Sequence, residues 1–241
     1  MRLAVISDIH GNLEAFREVL ADIDQAQVDA VACLGDNIGY GPEPEAVVSL
    51  LCERSIPSVM GNHELAIVAP GYRASMNPLA LESLLLTEEL ISEKTRDFIH
   101  TLKPSMHFHG SLCVHGCPPD SVTTYLFELS RAAFKELLLE LSERVCFVGH
   151  THDLQVICFD GQAVHIAPLR RGMITLGQAN KYMINVGSVG QPRDGNNNAK
   201  YVIWDNVSET LEVRFIPYDI SVTADQILKL GFPKFNAERL W

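Results

Sequence analysis

Positive charge is scarce in this chain: 19 lysines and arginines stand against 30 aspartates and glutamates, a net charge of −11. That balance argues against a protein that wraps nucleic acid, which needs a basic face for phosphate contacts. It leaves room for a small phosphorylated substrate, because bound cations would invert the local field at a site. No apolar run approaches the ~20 residues that cross a bilayer, so no membrane association is expected. No basic, apolar, cleavage-site pattern precedes the first strand-like residues, so a cytoplasmic location is expected. Cysteine pairs are lacking as well. Cys33, Cys52, Cys113, Cys117, Cys146 and Cys158 contain no Cys-x-x-Cys, and most lie in apolar runs, where a free thiol behaves as a small hydrophobe. A disulfide framework is therefore not expected. Cys113 and Cys117 flank His115, which marks them as candidates for redox sensitivity. Repeats, low-complexity tracts and linker-like composition shifts are absent beyond the short Asn196-Asn197-Asn198 loop, so residues 1–241 read as a single domain.

What is present is enough apolar residue, 47% of the chain, to build a buried core. Leu3 to Ile6 is a continuous apolar run, the pattern of a strand buried on both faces. Asn12 can cap a following helix in which Leu13, Phe16, Val19, Leu20 and Ile23 recur at helical spacing. Ala30 to Leu34 predicts a second strand, Pro44 opens a helix carrying Val47, Val48, Leu50 and Leu51, and Ile56 to Met60 predicts a third strand. Strand alternating with helix predicts parallel pairing with right-handed crossovers.

Residues 64–103 break this alternation with a helical stretch, either a small cap beside a site or added cover for the core. Beyond Ser105 the pattern turns antiparallel. A hairpin is expected over Met106–His109 and Leu112–His115, turning at Gly110-Ser111. A second is expected over Gln155–Phe159 and Gln162–Ala167, turning at Asp160-Gly161. Ser130 is expected to cap a helix through Leu141, and strands are predicted at Val145–Val148, Tyr182–Asn185, Tyr201–Trp204 and Leu211–Ile216. The expected class is α/β: a four-layer αββα sandwich of two mixed β-sheets packed face to face with helices outside. In the C-terminal tail, 223–241, Asp225 to Leu230 predicts a short helix with a glycine stop at Gly231. Phe235, Leu240 and Trp241 either pack on the body or mark a surface for a homo-oligomer.

Chemistry-bearing residues gather in glycine-flanked clusters, each just after a strand-like run. They are Asp8-Ile9-His10, Gly35-Asp36-Asn37, Gly61-Asn62-His63-Glu64, His115-Gly116 and Gly149-His150-Thr151-His152. Ligands of open α/β sheets bind beyond the carboxyl ends of the strands, where these clusters fall. Carboxylate, amide oxygen and imidazole together suit a pair of divalent transition metals better than calcium or an iron–sulfur cluster. His100, His107, His109 and His165 fall outside the clusters and are expected to be structural.

The ordered set resembles the calcineurin-like metallophosphoesterase family: D-x-H at Asp8 and His10, G-D at Gly35-Asp36, G-N-H-E at Gly61–Glu64, H-G at His115-Gly116 and G-H-x-H at Gly149–His152. The resemblance spans residues 3 to about 190. It implies a dinuclear centre in which Asp8, His10, Asp36 and His152 hold one ion and Asp36, Asn62, His115 and His150 hold the other, with Asp36 shared. The ions would be manganese, iron, zinc, cobalt or nickel, and a bridging metal-bound hydroxide would attack phosphorus. His63 would protonate the leaving oxygen or steady the transition state. Glu64 would either orient His63 or sit in a salt bridge, with the salt bridge preferred. The loop Gly187-Ser188-Val189-Gly190-Gln191-Pro192-Arg193 looks like a bacterial branch of small members that are often likened to diadenosine tetraphosphatases.

One departure concerns the protein-phosphatase branch, which carries an arginine after G-D. Here the run continues Asn37-Ile38-Gly39-Tyr40, which counts against protein-phosphatase activity. Arg193 would supply a phosphate contact instead, or form a surface ion pair near Asp194. Asn37 and Tyr40 are further candidates for substrate contact. The expected activity is hydrolysis of a small phosphate ester, mono- or diester. A dinucleoside polyphosphate hydrolase is the alternative, and a phosphoprotein phosphatase, a nuclease or a scaffold that kept only the fold rank behind it.

Overall fold

In the computed structural model, which describes residues 1–241, the apolar run at the start becomes strand β1 (Arg2–Ile6), which is buried on both faces from Leu3 onward. Asn12 caps helix α1 (Leu13–Ala26), its side-chain oxygen accepting from Ala15 N, and the helix returns the chain to β2 (Ala30–Cys33), parallel to β1. Helix α2 (Pro44–Glu53) follows, opened by its proline. The third strand expected at Ile56–Met60 is reduced to single bridges, Cys33 to Ser58 and Val59 to Lys103. It bridges β2 on one side and Lys103 on the other and forms no continuous ladder.

The segment 64–103 is helical as expected: α3 (Asn62–Val68), a 3₁₀ turn at Pro70–Ser75, α4 (Pro78–Leu90) and α5 (Glu93–Thr101). Ala66, Ile67, Leu84, Ile91 and Ile99 pack with Val48 of α2 and with Ile38, so the insertion covers α2 and the loop after β2. The first expected hairpin is β3 (Ser105–Phe108) with β4 (Ser111–Val114). Its turn falls at His109-Gly110, one residue earlier than read, because both residues take positive φ (49° and 78°) as a tight primed turn requires. After α6 (Arg131–Glu140), capped by Ser130, comes β5 (Val145–Val148). The second hairpin, β6 (Leu154–Phe159) with β7 (Val164–Pro168), has a four-residue loop in place of the expected Asp-Gly turn. The Asp160 carboxylate accepts from Gln162 N and Ala163 N and holds that loop. An exposed strand β8 (Gly172–Thr175) was not legible in the pattern. Strands β9 (Lys181–Val186), β10 (Ala199–Asp205) and β11 (Thr210–Ile216) and helices α7 (Ile220–Lys229) and α8 (Lys234–Glu238) complete the chain.

Two mixed sheets result, β2-β1-β10-β11-β8 and β3-β4-β5-β9-β6-β7. The space between them is filled from both sides by Leu3, Val5, Phe147, Ile184, Val186, Val202 and Trp204. The outer face of the first sheet packs on α1 and α2 through Ala4, Ile6, Phe16, Val19, Leu51 and Tyr201. That of the second packs on α6 through Val114, Phe134, Leu138 and Val148. The αββα sandwich is therefore as expected. Its consequence for chemistry is directional: β1 and β2 run parallel, as do β4, β5 and β9, so the loops that follow all five leave by strand carboxyl ends.

Candidate metal centre

These loops are tied to one another by backbone. Asp8 N donates to Gly35 O (3.0 Å), His10 N to Asp36 O (2.9 Å), Gly149 N to His115 O (2.8 Å), and Gly190 N to Asp8 O (2.9 Å). Strain concentrates here. Asp8, His10, Asp36, Tyr40, His150 and His152 all hold left-handed backbone angles, with φ between 49° and 67°. A non-glycine residue persists in that region only where its surroundings over-determine it.

Both aspartates divide their oxygens in the same way. Asp8 Oδ2 accepts from His150 N (3.1 Å), and Asp36 Oδ1 accepts from His63 N (2.9 Å), each fixing a neighbouring loop. The other oxygen faces imidazoles. Asp8 Oδ1 lies 3.3 Å from His152 Nε2 and 3.8 Å from His10 Nε2, and Asp36 Oδ2 lies 3.6 Å from His10 Nε2 and 3.3 Å from His115 Nε2. Asp36 Oδ2 is thus the aspartate oxygen that faces both His10 and His115.

The imidazoles are oriented from behind. Nδ1 of His10, His115 and His152 donates to the carbonyls of Ile38 (3.0 Å), Leu34 (2.8 Å) and Gln191 (2.5 Å), which leaves each Nε2 as the inward nitrogen. His150 is reversed: its Nε2 donates to Thr123 O (3.2 Å), leaving Nδ1 free, and its ring stacks on Tyr125 at 3.8 Å. Burial holds His10 and His152 well below the usual imidazole range, lowers His63, and lowers His150 to about 3, so these rings are neutral. Burial opposes charge on His115 too, but the Asp36, Asp8 and Glu64 carboxylates outweigh it and raise its pKa to about 9. Burial together with the charge of Asp36 pushes Asp8 up to about 7, while Asp36, against the pull of its own burial, is held well below the usual carboxylate range by the charged His115 imidazole.

The donor set fits metal ions. His10 Nε2 and His152 Nε2 point at each other across 3.2 Å with their protons already committed on Nδ1. Asp8 Oδ1 beside them is buried without any hydrogen-bond partner. Lone pairs converging in a dry site call for a cation between them. Candidate ligand atoms of Asp8, His10 and His152 lie within 4.8 Å of one another, as do those of Asp36, His115 and His150. Asn62 Oδ1, 3.2 Å from His115 Nε2, joins the second group.

His63 also borders this centre. It forms a third such group with His10 and Asp36, and its ring packs against His10 (4.9 Å) and Tyr40 (4.7 Å). A Cβ on Gly39, at φ 86°, would collide with its ring, so glycine there admits the imidazole. Glu64 neither pairs with a cation nor orients His63. It is fully buried and accepts from Asp36 N (2.9 Å), Asn37 N (2.7 Å) and Gly61 N (2.9 Å), joining the two loops that carry Asp36 and Asn62. Burial pushes its carboxyl up to about 7 against the pull of those donors.

Of the substrate candidates, Tyr40 lines the centre and Arg193 lies over its ring at 6.0 Å. Asp194 pairs with Lys200 (2.7 Å), so Arg193 is not in the surface ion pair. Asn37 is turned away. Its side chain is buried against Cys33 Sγ (3.0 Å) and Ser58 Oγ (3.1 Å) and does not face the centre. His100, His107, His109 and His165 are exposed surface residues away from the site, not buried ones. Cys113 and Cys117 are buried and free, with pKa values pushed by burial to about 12 and about 11, the reverse of a redox-sensitive thiolate.

Two supports escaped sequence reasoning. Tyr125 lies in an irregular loop with no period to place it. Asn185, whose side chain donates to Gly149 O (2.7 Å) and Thr151 Oγ1 (2.8 Å), had a readable signal: an amide inside an otherwise apolar strand.

A sandwich with buried Asp, Asn and His converging at its strand ends is that of a metallohydrolase. The chain belongs to the calcineurin-like phosphoesterase superfamily, whose domain pattern matches residues 1–209. It is 33% identical to an uncharacterized protein of Methanocaldococcus jannaschii, over 99% of this chain and 97% of that one. The crystal structure of a metallophosphoesterase from Sphaerobacter thermophilus superposes with a TM-score of 0.84 at 31% identity, covering 100% of this chain and 98% of the other. A hypothetical protein from Pyrococcus horikoshii shares the fold, with a TM-score of 0.79 at 16% identity over 100% and 97%. The family is one of metal-dependent hydrolases. No helix is long and apolar enough to cross a membrane.

Proposed function

We propose that this protein hydrolyses a small phosphate ester using two divalent transition-metal ions. One is held by Asp8, His10, Asp36 and His152, the other by Asp36, Asn62, His115 and His150. The observation that carries the reading is the pair of facing, proton-free nitrogens of His10 and His152 beside the unpartnered Asp8 Oδ1, with Asp36 Oδ2 lying between His10 and His115. When bound, two such ions lower the pKa of a water and offset charge on the phosphoryl oxygens, an arrangement suited to direct in-line attack.

The protein's share is orientation and proton transfer. Backbone carbonyls orient four imidazoles, and Glu64 holds two ligand loops at a set separation. His63 is kept neutral by burial in the free protein, and Asp36 favours its charged form. A phosphate dianion entering beside the ring would raise its proton affinity, so that His63 takes up a proton from solvent as the substrate binds and delivers it to the leaving oxygen. The expected ligand is a small soluble ester, since the net charge of −11 disfavours a polyanionic surface partner.

Purified protein is expected to cleave an aryl phosphate or bis-aryl phosphate when manganese is added and to stop on chelation. His63→Ala should lose turnover, by roughly 10²–10⁴-fold if the ring is the general acid, while keeping its bound metal. Absence of turnover with every divalent metal tried, or full activity in His63→Ala, would refute the assignment.

A further inference from the structure

Beside the centre lies a cavity of about 360 Å³ lined by Pro192, Arg193, Asn196, Asn197, Arg239 and Trp241. The last residues of the chain build its outer wall. Phe232, Ala237 and Leu240 pack with Ile220, Ala224 and Ile227 of α7. Asn236 donates to Tyr40 O (3.1 Å) and Ser83 Oγ (2.8 Å), which pins α8 against the loop that carries Tyr40. Trp241 remains 70% exposed at the rim.

The cavity's two guanidiniums are unusual in this acidic protein. Arg2, Arg54, Arg73, Arg96, Arg144 and Arg214 each have a carboxylate within 4.0 Å. Arginines without one are exposed, at positions 17, 131, 170 and 171, with two exceptions: Arg193 and Arg239 are half-buried, face the same cavity and have no carboxylate partner. Arg193 Nε is buried with no hydrogen-bond acceptor at all. Each guanidinium lies over an aromatic ring, Arg193 over Tyr40 at 6.0 Å and Arg239 over Phe235 at 4.4 Å; Arg193 Nη2 donates to Gln191 Oε1 (3.0 Å), and the remaining donors of the two guanidiniums suit a planar or tetrahedral oxyanion. Burial, and then the nearby charge of Arg193, push the Arg239 pKa down. Neither cation has a carboxylate within 4.0 Å, and Arg193 adjoins the centre through Tyr40, whose ring packs against His10.

We propose that Arg193 and Arg239, with Asn196 and Asn197, bind a second phosphate group of the substrate, so that the preferred substrates are organic phosphates carrying at least one phosphate beyond the one that is cleaved. This rests on the reading of the centre as a phosphoesterase. The role of α8 and the residues after it is then to complete the substrate site.

The direct test uses the full chain, freed of metal, titrated with pyrophosphate and with orthophosphate while tryptophan fluorescence is followed. Trp204 is buried in the core, so a response that disappears in Trp241→Phe reports the rim. Pyrophosphate is expected to bind more tightly than orthophosphate, and Arg239→Gln to weaken it by about tenfold or more, with Arg239→Lys recovering part of the loss. In turnover with manganese, kcat/KM for a sugar bisphosphate relative to the matching monophosphate should fall about tenfold in Arg239→Gln, through KM. Equal pyrophosphate affinity in wild type and Arg239→Gln, or an unchanged bisphosphate-to-monophosphate ratio, overturns the proposal. The binding arm needs no catalysis, so a failed phosphoesterase reading and a failed second-phosphate site give different results.

Discussion

Glu64→Gln removes one charge and almost no volume, and its effect follows from the three backbone donors that the carboxylate serves. Oε2 accepts from Asp36 N and Gly61 N, and Oε1 from Asn37 N. A glutamine offers one carbonyl oxygen. Set at the Oε2 position, it keeps two bonds and turns its NH₂ towards Asn37 N–H, donor against donor. Set at Oε1, it loses two bonds. At least one buried N–H is stranded, at a cost of roughly 1–3 kcal/mol, and the remaining bonds weaken from charge-assisted to neutral. Relief of repulsion from Asp36, which helps to push Glu64 up to about 7, offsets only part of this.

The net loss expected is about 2–3 kcal/mol, or roughly 5–10 °C in Tm for a chain of this size. Metal affinity should fall too, by about tenfold or more, because the loops bearing Asp36 and Asn62 lose their common acceptor. Thermal melts of the metal-free protein and a calorimetric manganese titration read the two effects separately. A Glu64→Gln protein that melts within a degree of wild type and binds manganese equally well would refute the role assigned to this carboxylate.

Other expectations follow from the same geometry. Gly39→Ala places a methyl group against the His63 ring at a left-handed φ of 86°, so it should lower turnover sharply while metal content, measured by elemental analysis, stays near wild type. Unchanged turnover would mean that the ring tolerates displacement. Manganese at a hundred times its dissociation constant should stabilise the folded state by about 2.7 kcal/mol, and chelation should reverse the resulting rise in Tm. An unmoved melt would remove the case for a bound ion. Thiol labelling of the native protein near pH 8 should modify exposed Cys52 first and spare Cys33 and Cys113, whose burial pushes their pKa values to about 12. Rapid labelling of Cys113 would show that the core between the sheets opens.

Much of this protein was legible before any coordinates. Strict helical spacing located α1 and its Asn12 cap, and continuous apolar runs located β1, β2, β5 and β9, because propensity and burial agree there. The stretch Ile56–Met60 misled because its apolar pattern is that of a strand, while pairing depends on neighbours that sequence does not display. Strand β8 was invisible for the converse reason: an exposed edge strand needs no apolar period.

By itself the sequence determined which atoms are available for chemistry. Aspartate, asparagine and histidine recur beside glycines after each buried strand, and strand polarity then obliges their loops to leave from common ends. Tertiary packing alone decided what each atom does. It assigned one oxygen of Asp8 and one of Asp36 to backbone amides, reversed the His150 ring relative to the other three, drew Glu64 inward to join two loops, and turned Asn37 away from the centre. It also brought Arg239 to the same cavity as Arg193. The reason is physical: residue type sets donor and acceptor capacity, but partners separated by tens of residues are chosen by which loops the two sheets press together.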